Sequence, residues 1–193
     1  MAARATIDLT PGTVLRTAAL RRWGDNPTRL AQRLEREGRV QRLGHGFLYV
    51  PRETRFGTAP PTEDALLDAL LDGTPHVVTG PVRWNALGLG STALHVHPLV
   101  YNTKRTGTVT LGRRTFELRR VAFPQEVSAE WFVVDLLRHA DTVGLDAADV
   151  AKNLVRAVRL GRFDRERLLA MAEQFGDRAV ANLVRLVVRE ANE

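Results

Sequence analysis

Side chains able to bind phosphates and base edges recur at helical spacing near the N-terminus. In the segment NPTRLAQRLEREG, Arg29, Arg33 and Arg36 stand at i, i+4 and i+7, with Gln32 beside them. That spacing puts them together on one side of a helix, away from a leucine stripe. Guanidinium and carboxamide groups so arranged can hydrogen bond to base edges in a major groove. A solvated helix face can carry the same stripe, so the surrounding charge and elements must decide between the two interpretations.

The excess positive charge of the chain lies in its N-terminal third. Residues 1–58 carry 11 arginines and five acidic residues, whereas residues 59–193 carry 17 basic and 17 acidic residues. A local excess of positive charge attracts phosphate backbones and accelerates association with them. Double-stranded DNA is therefore the partner that the charge distribution predicts.

A strand, two helices and a β-hairpin are predicted to position the arginine stripe. A strand at 14–16 leads into a helix capped by Thr17. A second helix runs from Pro27 to Glu37 and stops at Gly38, and two β-prone runs flanking Gly44-His45-Gly46 then form a hairpin. This order predicts a winged helix-turn-helix, in which the second helix enters the major groove and the hairpin lies along the neighbouring backbone.

The expected contacts fall into three groups within this unit. The candidate DNA-binding residues are Arg21, Arg22, Thr28, Arg29, Gln32, Arg33, Arg36, Arg39, Arg42 and His45. The first two are expected to touch phosphate, those on the second helix to approach base edges, and the last three to form the wing contact. His45 is equally compatible with having no role at the turn. The side chains expected to supply the core are Ala18, Leu20, Trp23, Val40, Leu43, Phe47 and Tyr49.

The chain is expected to form an α+β protein of two domains. The stretch RFGTAPPTED has the Gly and Pro content of a linker, and it separates a winged helix-turn-helix at 1–57 from an α+β domain at 62–193. In the second domain, strands are predicted around 96–101, 108–111 and 115–121, and helices at 129–140, 147–160, 165–175 and 178–190. These last four helices predict a helical bundle at the C-terminal end.

Hairpin geometry predicts a second basic surface in the C-terminal domain. Successive strands bring the end of the strand at 115–121 back to the turn NTKRTG. The residues expected to cluster there are Lys104, Arg105, Arg119 and Arg120. Basic stripes on the helices at 147–160 and 178–190 are typical of solvated faces, with a partner-binding surface as the alternative.

Few residues are suited to catalysis or to metal binding. The chain has no cysteine, which excludes disulfides and thiolate ligands. Ser91 and Ser128 stand outside any nucleophile motif. His95 and His97 would project from one side of a strand, but a third metal ligand is not visible nearby in the sequence. We therefore predict no catalytic residue, no metal and no cofactor, and we expect that the chain is not an enzyme.

The N-terminal segment and the hydropathy pattern predict a cytoplasmic protein. No run approaches the roughly 18 apolar residues of a membrane span. The segment MAARATIDLTPG lacks the apolar stretch of a signal peptide. A membrane is therefore not among the expected partners.

Two motifs carry a resemblance to a known family. The segment TVLRTAALRRWGDNPTRLAQRLEREGRVQRLGHGFLYVPRE resembles the winged-helix front of AbiEi-type antitoxins, which belong to type IV toxin-antitoxin systems. The residues that fit the family pattern there are Leu30, Leu34, Gly38, Val40, Arg42, Leu43, Gly46 and Tyr49. The segment TGPVRWNALGLGSTA is similar to the second signature, at Gly80, Asn85, Leu87, Gly88 and Leu89. The resemblance runs from about Val14 to Phe123.

The resemblance implies a winged helix followed by an α+β C-terminal domain. It also implies repression of the protein's own promoter and antagonism of a co-encoded nucleotidyltransferase toxin. Three alternatives stay open from the residues themselves. They are a winged-helix adaptor that binds an acidic protein, a plain transcriptional regulator without a toxin, and a nuclease.

Overall fold

The computed structural model describes residues 7–92 and 97–193 and has the predicted α+β fold. The chain divides into two compact units. The first comprises the chain up to Pro75 together with Thr108–Thr115, and the second comprises His76–Gly107 and Phe116–Glu193. The interdomain segment expected at 58–61 thus lies within the first unit.

The predicted strands and helices occur in the predicted order, and further elements lie between them. The strands are β1 (Val14–Arg16), β2 (Gln41–Gly44), β3 (Phe47–Tyr49), β4 (Arg52–Thr54), β5 (Gly57–Ala59), β6 (His76–Thr79), β7 (Leu99–Asn102), β8 (Gly107–Leu111) and β9 (Arg114–Arg120). The α-helices are α1 (Pro27–Arg36), α2 (Glu63–Leu71), α3 (Pro81–Ala86), α4 (Ala129–His139), α5 (Ala147–Arg159), α6 (Arg165–Phe175) and α7 (Arg178–Glu190). Helices of the 3-10 type span Thr17–Trp23 and Asp141–Val143.

A three-stranded antiparallel sheet organises the first unit. Its order is β1-β3-β2, with Arg16 opposite Phe47 at one end of the β1–β3 ladder. Strands β2 and β3 form the predicted wing hairpin, and a bulge interrupts their register between Arg42 and Gly44. Together with the 3-10 helix and α1, this hairpin completes the predicted winged helix-turn-helix order.

The first helix of this unit differs from its prediction. It is a 3-10 helix with three residues per turn, so Leu20 and Trp23 share its inner side while Ala18 is exposed. The predicted cap at Thr17 is wrong, because its hydroxyl donates to the Gly46 carbonyl at 2.9 Å and no side chain caps the helix. The buried apolar side chains beneath the helices are Ile7, Leu20, Leu30, Ala31, Leu34, Val40, Leu48 and Val50.

The segment predicted to be a linker forms structure within the first unit. Strands β4 and β5 pair as a hairpin, and the Tyr49 hydroxyl donates to the Ala59 carbonyl at 2.6 Å. Arg16 holds the end of α2, because its guanidinium donates to Asp72 at 2.5 Å and to the Leu70 carbonyl at 3.0 Å. These non-local bonds connect the sheet to the chain beyond it, which Gly and Pro content alone cannot reveal.

The second sheet has the strand order β6-β7-β9-β8. Strands β6 and β7 are antiparallel, whereas β7 and β9 are parallel, with Asn102 opposite Arg120 at the end of the ladder. The tip of the β8–β9 hairpin, Thr108–Thr115, belongs to the first unit. The strand predicted around 96–101 begins at Leu99, and its predicted start at 96 lies outside the described residues.

The C-terminal helices agree closely with the predicted ones. The side chains of Ser128, Asp146, Asp164 and Asp177 cap α4, α5, α6 and α7 respectively. Gly161 follows α5 at a φ of 68°, the left-handed conformation that commonly ends a helix. Valine and leucine side chains from these helices build the core of the second unit with Trp84, Tyr101 and Trp131. Within the described parts of the chain, no helix has the length and apolar composition needed to cross a membrane.

Candidate nucleic-acid interface

Helix α1 presents the arginine stripe on the side opposite its buried face. The Asn26 carboxamide accepts a hydrogen bond from the Arg29 backbone N–H at 2.9 Å, and Pro27 occupies the first helical position. The side chains of Leu30, Ala31 and Leu34 are buried. The helix is therefore fixed by its cap and by its apolar face, and its polar side is free to meet a partner.

The polar side of α1 carries exposed cations. Thr28, Arg29, Gln32 and Arg36 are exposed, whereas Arg33 is half-buried and its Nε lies 3.6 Å from Glu37 Oε1. Arg29 makes no ion pair or side-chain hydrogen bond with any residue in 7–92 or 97–193. A concave surface of about 460 Å³ runs along this side, with Trp23, Asn26 and three arginines on its walls. The guanidinium groups of the stripe thus line a concave surface, an arrangement suited to an anionic chain.

The end of the 3-10 helix adds two further cations beside α1. Arg21 and Arg22 are exposed in its last turn. The Arg22 guanidinium lies over the Trp23 ring, with Cζ 3.8 Å from the ring centroid. This cation–π contact orients the guanidinium while leaving its charge in place. Both side chains are therefore exposed, as their predicted phosphate contacts require.

The wing turn is built from three residues with positive φ. Gly44, His45 and Gly46 have φ values of 97°, 49° and 78°. Glycine adopts this region without a steric cost, and His45 is the only side chain present in the turn. The Thr17 backbone N–H donates to the Gly46 carbonyl at 2.7 Å, so the turn is tied to the start of the 3-10 helix. His45 is exposed at the predicted position, and its role stays a prediction.

Both arginines that were predicted to form the wing contact already have partners within the unit. Arg42 donates to Glu35 Oε2 at 3.1 Å, and Arg39 donates to the Ile7 carbonyl at 2.6 Å. Both side chains are also part-exposed, so DNA would compete with these internal acceptors rather than meet unengaged cations. The stripe on α1 is consequently better prepared to bind an anion than the wing is.

The second basic surface has the predicted geometry. The Asn102 side chain accepts from the backbone N–H groups of Lys104 and Arg105 and donates to the Arg119 carbonyl. The Arg120 backbone N–H donates to the Thr106 hydroxyl at 3.0 Å. All four predicted residues therefore lie at one end of the sheet. The Arg119 guanidinium is held by Glu117 at 2.8 Å, and a binding role for this surface stays a prediction.

A buried polar cluster surrounds Asp135 in the second unit and was not predicted from the sequence. This α4 side chain is 1% exposed, and its Oδ2 accepts from the Thr79 hydroxyl at 2.5 Å and the Trp84 indole N–H at 3.0 Å. Its Oδ1 accepts from the Tyr101 hydroxyl at 2.9 Å. The signal that could have found it is a single acidic residue inside the apolar run WFVVDLL, because a buried carboxyl requires donors.

An imidazole completes the Asp135 cluster. His139 Nδ1 lies 2.8 Å from the Asp135 backbone oxygen, its Nε2 lies 3.3 Å from the Tyr101 hydroxyl, and its ring stacks on Trp84. Burial, followed by the negative charge of Asp135, raises the pKa of Tyr101 above its ordinary value. Tyr101 therefore stays a hydrogen-bond donor to Asp135 at neutral pH. The cluster ties α4 to β6, α3 and β7.

Only one of the two histidines considered as metal ligands lies in the described part of the chain. His97 lies in a bend before β7, and His95 lies outside the described residues. Across 7–92 and 97–193, no group of three or more His, Cys, Asp or Glu side chains is arranged to hold a metal ion. The absence of a metal, a cofactor and a catalytic residue stays a prediction.

The comparisons with known proteins identify a fold and no family. The crystal structure of the RV2827C protein from Mycobacterium tuberculosis aligns with 94% of this chain and 73% of its own chain, with a TM-score of 0.53 and 12% sequence identity. At that identity, the similarity shows a shared fold alone. A scan against models of protein families found no match, and neither did a search of the curated proteins.

Proposed function

We propose that this protein is a cytoplasmic, sequence-specific DNA-binding repressor of its own promoter. The observation that carries the proposal is the arginine face of α1 beside a wing, with Arg29 and Arg36 exposed and Arg29 without an internal partner in the described chain, in the part of the sequence that holds all the excess positive charge. Such a helix fits the major groove, where guanidinium and carboxamide groups distinguish base pairs.

The contacts divide by what each side chain can reach. Arg29, Gln32 and Arg36 meet base edges, because they are exposed and α1 is fixed by its cap and its core face. Arg21 and Arg22 neutralise phosphates at the flank, and the wing approaches the adjacent backbone. Arg33 joins the base contacts by exchanging Glu37, 3.6 Å away, for the DNA.

Antagonism of a co-encoded nucleotidyltransferase toxin is the second role that we propose. It rests on the resemblance of this chain to AbiEi-type antitoxins, since the contacts of the second unit do not name a partner. Gly80 and Gly88 of the second signature bound α3 at φ values of 93° and 66°, and the flanking Leu87 and Leu89 are buried. That signature therefore supports the helix and its packing rather than a binding surface.

A promoter–reporter assay tests the repressor role. The native upstream region drives the reporter in cells that make the wild-type chain, Arg29→Ala/Arg36→Ala, or Arg165→Ala. Arg165 is exposed on α6 in the second unit, so its replacement removes a positive charge at a remote site. We expect repression by the wild type and the control and its loss in the double variant. Equal repression by all three would contradict the assignment of α1.

Co-expression tests the antitoxin role separately. A nucleotidyltransferase reading frame found beside this gene is expressed with the wild type or with Arg29→Ala/Arg36→Ala, both under a promoter that the protein does not control. Growth rescue by both is expected, because α1 is assigned to DNA rather than to the toxin. Failure of the wild type to rescue growth would refute the antitoxin role and leave the repressor role intact.

A further inference from the structure

The outer edge of the wing is covered by a hairpin tip from later in the chain. Strand β2 is last in the order β1-β3-β2, which leaves its outer side without a strand of that sheet. The backbone N–H of Gly112, in the turn between β8 and β9, donates to the Leu43 carbonyl of β2 at 2.8 Å. Residues 108–115 belong to the same compact unit as the wing. The tip is therefore an addition to the wing edge.

The tip is held against β2 by several contacts. Gly112 has a φ of 58°, which L side chains rarely adopt, and a Cβ at this position would lie 3.2 Å from the Leu43 side chain, so a larger residue would be strained there and would displace that side chain. The hydroxyls of Thr110 and Thr115 are 2.9 Å apart across the hairpin. Arg114 reaches Glu63 of α2 at 3.8 Å. Close packing and these polar contacts thus fix the tip in position.

Arg113 is the cation that this arrangement leaves available. Its side chain is exposed, and it forms no ion pair or hydrogen bond with a residue in the described part of the chain. The neighbouring Gly112 docks on Leu43, which precedes the wing turn at His45 by two residues. Arg113 therefore carries an unpaired positive charge beside the wing, where Arg42 is already bonded to Glu35.

We propose that the β8–β9 tip acts as an extension of the wing and that Arg113 binds a DNA phosphate. The inference rests on the DNA-binding function proposed above. A guanidinium on an exposed turn can donate two hydrogen bonds to a phosphate, and such contacts position a protein without reading base sequence. Arg113 therefore strengthens binding to any duplex to a similar extent.

Salt-dependent DNA titration of the full chain tests this assignment. Fluorescence anisotropy is measured with the native upstream duplex and a scrambled duplex for the wild type, Arg113→Ala, Arg113→Lys and the remote control Arg165→Ala. We expect Arg113→Ala to weaken binding to both duplexes about threefold to tenfold and to reduce the salt slope by about one. Arg113→Lys retains the charge and most of the affinity, and Arg165→Ala matches the wild type.

A second variant separates the docking of the tip from the charge. Gly112→Val places a branched side chain against Leu43 at a φ that favours glycine, so the tip leaves the wing edge. It is expected to weaken binding in the wild-type background and to add little when Arg113 is already Ala.

The outcomes distinguish this inference from the function on which it rests. A wild type that binds DNA and an Arg113→Ala variant with the same affinity and slope would overturn the wing extension alone. An effect confined to the native duplex would replace the phosphate contact with a base contact and would also overturn the assignment. A wild type that binds neither duplex would refute the DNA-binding function, and the wing extension with it.

Discussion

The polar groups of the two units are arranged in opposite ways. On α1 of the first unit, Arg29, Gln32 and Arg36 are exposed, and Arg29 is unpaired within the described chain. In the second unit, Asp135 is buried and accepts hydrogen bonds from three side chains. The α1 arginines are thus available to an external anion, whereas the Asp135 carboxyl has its hydrogen-bond donors inside the protein.

This difference separates the region to which we assign DNA binding from a region whose hydrogen bonds stabilise the fold. Removing either the carboxyl or its donors leaves buried polar groups without hydrogen bonds, and the desolvation of these groups then destabilises the folded state. The Asp135 cluster should therefore affect stability. Exposed arginines contribute little to stability because water solvates them equally well in the unfolded chain. Substitutions in the two regions should therefore separate the free energy of unfolding from DNA affinity.

Asp135→Ala should have the largest effect. It removes the acceptor of the Thr79 and Trp84 donors and one of the two hydrogen-bond partners of the Tyr101 hydroxyl, and we expect the free energy of unfolding to fall by about 3 kcal/mol. Urea unfolding of the full chain measures this loss, with the exposed Asp149→Ala as the control expected to stay within about 0.5 kcal/mol. If Asp135→Ala does not fold, Asp135→Asn keeps one acceptor oxygen and should lose less. A loss below about 1 kcal/mol in either would show that the cluster is not stabilising.

Arg29→Ala should have the next largest effect, on binding instead of stability. The loss of a bidentate base contact is expected to weaken binding to the native duplex by about 1 to 3 kcal/mol. Because the side chain is exposed and unpaired, urea unfolding should change by less than about 0.5 kcal/mol. Unchanged affinity for the native duplex would remove Arg29 from the interface.

Tyr101→Phe should have a smaller effect on the free energy of unfolding, and this effect should depend on pH. The pKa of Tyr101 is raised in the folded protein, so above pH 10 the tyrosine ionises in the unfolded chain before it does so in the folded one. This ionisation stabilises the unfolded state relative to the folded state. The wild type is therefore fully stabilised by this residue below about pH 10 and loses that contribution as the pH rises further. At neutral pH the lost hydrogen bond should cost about 1 kcal/mol.

The comparison of wild type and Tyr101→Phe isolates this titration from others. Urea unfolding at pH 8 and at pH 11 should show a steeper decline for the wild type than for the variant. Equal declines in the two proteins would mean that Tyr101 has the same pKa in the folded and unfolded chains, against the expected effects of its burial and of Asp135.

Glu35→Ala should have the smallest effect, and its sign is informative. The substitution removes a negative charge from the interface and frees the Arg42 guanidinium, which donates to Glu35 at 3.1 Å. DNA affinity should rise by about 0.5 kcal/mol, in keeping with the modest strength of exposed ion pairs. In the Arg42→Ala background the rise in affinity should be smaller. Weaker DNA binding by Glu35→Ala would contradict the idea that Glu35 competes with DNA for the Arg42 guanidinium.

The features that the sequence predicted well depend on neighbouring residues. The proline, the glycine stop and the apolar spacing of α1 are all local, and the predicted C-terminal helices have their Asp and Ser caps directly before their first residues. The turn at Gly44-His45-Gly46 likewise contains its own glycines. Local signals of this kind specify a helix or a hairpin without knowledge of the rest of the fold.

The features that it missed depend on residues far apart in the chain. Asp135 lies 56 residues from Thr79 and 34 from Tyr101, so neither pair forms a recognisable motif. The ion pair of Arg16 with Asp72 joins positions 56 apart, and it fastens a helix assigned by composition to the other domain. The docking of Gly112 on Leu43 is equally non-local, which is why Arg113 was not among the predicted contacts.

The most direct test of the central claim is the DNA affinity of the wild-type chain itself. Fluorescence anisotropy would compare the native upstream duplex with a scrambled duplex of the same composition, each at two salt concentrations. A sequence-specific repressor predicts a preference of about 10³-fold or more for the native duplex and an affinity that falls steeply with salt. Equal, weak binding to both duplexes would contradict the account and make the arginine face of α1 an ordinary solvated surface.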